Sequence, residues 1–296
     1  MASQDQQSAK PPRRLFRFSL RTLMLFVALA GIPLGWVGWK VDRARNQRAI
    51  VAELQKLHAL FQYDYQIITK NGVQSYRNLA QPPGPEWLTA FLGKEYFVDV
   101  YSVTVGGLQV NDETLALIAR LPEVECLNFT PETGITDAGL VHLVGMHNLE
   151  AIALSSNRIT GAGLVHLTEL KRLKWLDVWG WATDDSLEHI STLKRLEILH
   201  VFKESQITDR GLANVAKLTN LQSLHFGSDA AYSAILQDYM KITDAGLVSL
   251  YGLRNLESLR LNTMHVTQAG IDNLQKALPN CQIEWNPNGR NHQLEE

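Results

Sequence analysis

From about residue 96 onward, two hydrophobic rhythms alternate along the chain. One is a short run with apolar residues at its first, fourth and sixth places: Leu149/Ile152/Leu154, Leu173/Leu176/Val178, Leu221/Leu224/Phe226 and Leu256/Leu259/Leu261. Its last two members lie two apart, the period of a strand with one buried face. The other rhythm places leucines three apart, as in Leu140/Leu143 and Leu247/Leu250, which is one inward-facing turn of helix. Between them stands a recurring phrase, Ile135-Thr136-Asp137-Ala138-Gly139-Leu140, repeated from Ile159, Ile207 and Ile242 and in weaker form from Val110, Ala182 and Val266. The starts are 25, 24, 23, 25, 35 and 24 residues apart.

All but one of these spacings fall in the ~20–29 residue period of a leucine-rich-repeat solenoid. Val100/Val103/Val105 adds an earlier strand and Ile283/Trp285 a last one, so eight stacked strands are expected. At ~4.8 Å per neighbour the sheet is about 34 Å long. The fold class is therefore α/β: a curved parallel sheet inside and short helices outside. Asn111, Thr136, Thr160, Thr183, Thr208, Thr243 and Thr267 share one column, and each is expected to cap a helix. Asp112, Asp137, Asp184, Asp209 and Asp244 follow, where negative charge suits the helix dipole. The small residue two places later is expected to let the helix approach the sheet. An asparagine that follows the strand appears only at Asn157, so no asparagine ladder is expected there.

Upstream, residues 22–39 carry no charge over 18 residues. As a helix they span ~27 Å, close to a ~30 Å hydrocarbon core. Trp36 and Trp39 stand at one end, where amphipathic rings prefer the membrane interface. The expectation is a single transmembrane signal anchor. The alternative is a signal peptide cleaved after Ala28-Leu29-Ala30, which releases a soluble exported repeat protein. Within 20 residues, lysine and arginine count five on either side of the span, so the positive-inside rule is tied. The basic lead resembles the start of an export signal, so the repeat domain is expected on the exported, periplasmic side of the cell membrane.

The expected organisation is a basic tail (1–21), the anchor (22–39), a juxtamembrane helix (40–62), an N-terminal cap (63–95), the repeat domain (96–286) and a flexible tail (287–296). Ile50, Leu54, Leu57 and Phe61 make one apolar stripe, expected to pack on the first strands rather than form a coiled coil. Asn71-Gly72 between Tyr63–Lys70 and Val73–Tyr76 signals a hairpin. Pro85 is expected at the first position of a short helix reaching Leu92.

The phrase Ile-Thr-Asp-x-Gly-Leu-x-x-Leu resembles the leucine-rich repeats of ribonuclease-inhibitor-like and F-box-associated proteins. Arg-Phe-Ser-Leu-Arg-Thr-Leu at 17–23, ahead of an apolar span, is similar to the leader of membrane-anchored repeat proteins of planctomycete-type bacteria. The resemblance covers about two thirds of the chain and implies a binding scaffold. No F-box-like segment is evident, so no ubiquitin-ligase role is carried over.

A net charge of −2 gives no pull towards nucleic acid, and none is expected as a partner. Cys126 and Cys281 are the two cysteines, six strand spacings apart, and are expected to stay free thiols. Residues between the inward leucines project from the concave face. Trp175, Asp177, Trp179, Ile198, His200 and Phe202 there form an aromatic patch around polar groups, continued by His225 and Arg260. The long spacing places an insertion at 227–241, whose Tyr232 and Tyr239 are expected to reach the patch. Asp177 beside His200 makes pH-dependent binding an expectation. Asp177, His200 and His225 also admit a general base or a metal site, but no nucleophile or phosphate loop accompanies them. The reading is thus a protein-binding module, not an enzyme, with no cofactor.

Overall fold

The computed structural model describes residues 20–70, 73–76, 81–83, 85–202, 206–227, 240–263 and 265–286. The chain falls into two units, Met1–Arg45 and Asn46–Glu296. Helix α1, Leu20–Gln55, begins in the first unit and ends in the second. In the first unit Leu34, Trp36, Val37 and Trp39 are exposed. The Lys40 ammonium lies 5.9 Å and 6.0 Å from the Trp36 and Trp39 rings, and the Arg43 guanidinium 5.3 Å from Trp39. Among the described residues no helix is long and apolar enough to cross a membrane. Most side chains of 22–33 lie outside the described residues, as do the basic leader up to residue 19 and the tail 287–296.

The second unit is built on one nine-stranded sheet in the order β1-β4-β5-β6-β7-β8-β9-β10-β11. Strands β4 (Val100–Val105), β5 (Cys126–Phe129), β6 (Ala151–Ser155), β7 (Trp175–Trp179), β8 (Ile198–Phe202), β9 (Ser223–Phe226), β10 (Ser258–Leu261) and β11 (Gln282–Trp285) run parallel. These are the strands the leucine spacing implies, stacked in chain order as a leucine-rich-repeat solenoid. The ninth was not legible: β1 (Leu60–Tyr63) pairs antiparallel with β4 and covers its free edge. Phe61 is therefore a strand residue rather than the last member of a helical stripe, because α1 stops at Gln55. Ile50, Val51 and Leu54 are buried in the core, and Gln47 Nε2 donates to the Val98 carbonyl at 2.9 Å.

A separate hairpin joins β2 (Ile67–Lys70) to β3 (Val73–Tyr76), with Lys70 opposite Val73; Asn71-Gly72 lie outside the described residues. Pro85 is the N-cap of α2 (Glu86–Leu92), one place earlier than the sequence suggests.

The inward strand residues, such as Leu127, Ile152, Leu176, Leu199, Leu224 and Leu259, are at most 1% exposed. Each connection turns back over them through α3 (Asp112–Ile118), α4 (Asp184–Ile190), α5 (Asp209–Val215), α6 (Asp244–Leu247) or α7 (Gln268–Ala277). Two repeats use 3-10 turns instead, Gly139–Gly145 and Ala162–Glu169. There the cap expectation fails: neither turn has a side-chain cap, although Asn111, Thr183, Thr208, Thr243 and Thr267 do cap their helices.

The phrase has a second purpose that dipole arguments miss. Each aspartate reaches the threonine of the next repeat. Asp112 accepts from the Thr136 amide and hydroxyl at 2.9 and 2.7 Å, Asp184 from those of Thr208 at 2.9 and 2.6 Å, and Asp209 from those of Thr243 at 2.8 and 2.7 Å. Asp137 and Asp244 do the same for Thr160 and Thr267. Burial alone would raise the Asp137 carboxyl, but the Gly163, Thr160 and Gly161 donors hold it below its usual value.

The glycine belongs to this ladder, not to helix–sheet approach. A Cβ at Gly139, Gly246 or Gly270 would overlap the carboxylate of Asp112, Asp209 or Asp244 in the preceding repeat. The exception supports the rule. Where Gly161 replaces the aspartate, Ser186 replaces the following glycine, and a Cβ on Gly161 would strike Ser186.

On the opposite rim, amides bridge repeats just before the strands. Asn148, Asn220 and Asn255 donate to the carbonyls of Pro122, Lys194 and Thr219 at 3.1, 2.8 and 2.9 Å. A short asparagine ladder thus exists, ahead of the strands instead of after them. Cys126 and Cys281 are free, and burial pushes the Cys281 thiol up to about 11.

Candidate functional site

Strand pairing sets one row across the open face of the sheet: Asn128, Ala153, Asp177, His200, His225, Arg260 and Glu284 stand opposite one another in turn. Trp175 and Ile198 occupy the row on one side, and Trp179 and Phe202 the row on the other. A single-residue slip would turn every one of these into the core, so the inward leucines fix the site as firmly as they fix the fold.

Asp177 is the hub. Its Oδ1 accepts from Trp175 Nε1 at 2.5 Å and lies 3.0 Å from His200 Nδ1. A carboxylate there selects the tautomer with hydrogen on Nδ1 and stiffens the imidazole. The Trp175 and His200 rings meet edge-on with centroids 5.6 Å apart. Trp175 remains 40% exposed, an amphipathic ring tethered by its own N–H yet open to a partner. In the same row, two strands beyond His200, Arg260 Nε donates to Glu284 Oε2 at 2.7 Å, and both side chains are exposed.

Two expected surface residues are not at the surface. Phe202 is 6% exposed and His225 5% exposed. Phe202 packs on Trp179 with centroids 4.3 Å apart and meets His225 edge-on at 5.0 Å. His200 meets His225 at 5.7 Å. Alternation along a strand gives the face a side chain takes, but neighbouring rings on that face then exclude water from one another. Trp179, Ile198, Asp177 and His200 are half-buried.

His225 carries the electrostatic peculiarity of the site. Its Nε2 is buried and has no hydrogen-bond partner among the described residues. Burial, reinforced by Arg260 and His200, pushes its imidazole down to about 3, so it is neutral at pH 7. Among the described residues no group of three or more His, Cys, Asp or Glu stands together as a metal ion requires, Asp177, His200 and His225 included. Tyr232 and Tyr239 of the insertion lie outside the described residues, which there include only Gly227, Met240 and Lys241. Met240 is buried in the core, and its carbonyl accepts from the Thr263 hydroxyl at 3.3 Å.

Sequence reading attended to the open face and missed a groove of about 630 Å³ at the rim where the strands start. Its basic residues fall at 171, 174, 195 and 254, within two places of the first leucine of a strand run but spread over three columns.

No family model and no curated protein sequence matches the chain. Among solved structures it is similar to internalin C2 of Listeria monocytogenes, at 18% identity over 63% of this chain and 81% of that one, with a TM-score of 0.38. It is similar to TLR13, solved in a complex with ssRNA13, at 18% identity over 58% of this chain and 24% of that one, TM-score 0.41. A leucine-rich-repeat protein of Leptospira interrogans aligns at 18% identity over 57% of this chain and 45% of that one, TM-score 0.36. The chain spans less than half the length of the last two.

Proposed function

We propose that the chain is a membrane-tethered, non-catalytic interaction module that takes a protein partner on the open face of its repeat sheet. The observation that carries this is Trp175, a large ring left 40% exposed on a stiff parallel sheet and held by Asp177, which also holds His200. Exposed, orientationally locked aromatics beside polar groups are the usual anchors of protein interfaces. Arg260 and Glu284 give a polar rim on the same face. The row mixes acidic and basic groups and lacks the basic stripe that nucleic acid requires. Nothing on the face combines a nucleophile with a base, which favours binding over catalysis.

The tether rests on the uncharged run at 22–39 and on Trp36 and Trp39, which are exposed beside Lys40 and Arg43 as rings and cations are at a membrane interface. The basic lead supports a topology with the repeat domain on the exported side.

The deciding experiment is affinity capture with the full-length protein in detergent, repeated with Trp175→Ala and Asp177→Asn. A protein captured by the wild type and lost by both variants supports the reading. Equal capture by all three removes the open face from consideration. Cell fractionation tests the tether: salt-resistant membrane association supports it, and a soluble species beginning at Gly31 replaces it with a cleaved export signal.

A further inference from the structure

The groove at the rim where the strands start is independent of the aromatic patch. It runs past five successive repeats, from Lys171 and Lys174 ahead of β7 to Asn280 ahead of β11. Four cations and two carboxylates line it, a local excess of positive charge on a chain whose net charge is −2. Lys174 is paired with Glu197 at 2.9 Å, and Lys171 approaches Glu169 at 3.9 Å. Arg195 and Arg254 have no ion pair or side-chain hydrogen bond among the described residues, and both are exposed. The floor between them is stiff, because Asn220 and Asn255 each donate across to the backbone of the neighbouring repeat.

A second cavity of about 350 Å³ shares Arg195 and Asn220 with the groove, and buried Leu170, Leu173 and Leu193 line it. The two make one trough with Lys194 and Arg195 at their junction.

We propose that this trough binds an acidic peptide segment, its carboxylates on the Arg195 and Arg254 guanidinium forks. Guanidinium is the group best matched to a carboxylate, since it offers two parallel N–H donors. The two arginines are two strand spacings apart, about 10 Å, which is about three residues of extended peptide at ~3.3 Å each. A lone phosphate is too small to bridge that gap.

The test is fluorescence anisotropy on the full-length protein in detergent, with a labelled oligoglutamate peptide. The control peptide has glutamine in place of every glutamate. The acidic peptide is expected to bind and the control not. Arg195→Gln with Arg254→Gln should weaken binding roughly tenfold or more, through loss of two charge-assisted forks. Added salt at about 0.5 M should weaken the wild type similarly, since the site is open to screening. Trp175→Ala should leave peptide binding unchanged, which separates this site from the open face. Equal binding of both peptides, or undiminished binding by the double variant with unaltered circular dichroism, overturns the proposal. So does displacement of the peptide by a single-stranded oligonucleotide that binds more tightly, which would make the trough a nucleic-acid site.

Discussion

Replacing Asp209 by alanine tests the ladder that ties the repeats together. The carboxylate accepts from the Thr243 amide at 2.8 Å and hydroxyl at 2.7 Å. Each hydrogen bond to a charged group contributes about 1.5–3 kcal/mol, and half-exposure screens part of that, so Asp209→Ala should cost about 3 kcal/mol. The Thr243 hydroxyl still caps the Ala245 amide at 3.2 Å, so the helix start survives. Gly246→Ala instead pushes a methyl group into the Asp209 carboxylate. Displacing the carboxylate forfeits most of the same bonds, less the ~1 kcal/mol by which alanine improves on glycine in a helix, for a net cost of about 2 kcal/mol. In the double variant the methyl group no longer meets a carboxylate, and its closest remaining contact is the residue-209 Cα at 3.1 Å. Its total cost should be about 2 kcal/mol, where simple addition of the single losses gives about 5 kcal/mol. Urea titration followed by circular dichroism measures all three. Additivity within ~0.5 kcal/mol would refute the claim that the glycine exists for the aspartate. The chain holds its own precedent in Gly161 and Ser186, where both members of the pair are exchanged together.

The buried imidazole of His225 should make the domain acid-sensitive. Its pKa falls from 6.5 to about 3 on folding, so between those values the unfolded chain binds more protons and stability rises with pH. The contribution is complete above about pH 6.5 and is lost as pH drops towards 3, with a slope approaching ~1.4 kcal/mol per pH unit. His225→Leu should flatten that slope in urea titrations at pH 4 to 7, and an unchanged slope would mean that another group is responsible. Phe202→Ala should cost about 3–5 kcal/mol as a buried aromatic truncation, and Trp175→Ala under about 1.5 kcal/mol as the loss of a ring that is 40% exposed. A reversed order in thermal melts would mean that Trp175 is the core residue of the pair.

The sequence determined the fold because a repeat announces itself twice, in the leucines that face inward and in the phrase that turns the chain. The strands β4 to β11 and their register follow from the two-residue spacing of pairs such as Leu176/Val178, since any slip would expose the whole core. That register alone brought Trp175, Asp177 and His200 together on paper. Tertiary structure decided the rest. Strand β1 was hidden because four residues are too few to show a period, and its partner β4 lies about forty residues downstream. The burial of Phe202 and His225 depends on rings contributed by other strands, and no pattern within one strand encodes its neighbours' bulk. The aspartate–glycine pairing links positions one repeat apart, from Asp209 to Gly246 for example, so it emerges only when consecutive turns are stacked. The same holds for the trough between Lys171 and Asn280, whose charges are scattered along the chain and gathered by the solenoid alone. Local periodicity fixes which way a side chain points. What it then meets is set by contacts between repeats, and those exist only once the chain has been wound.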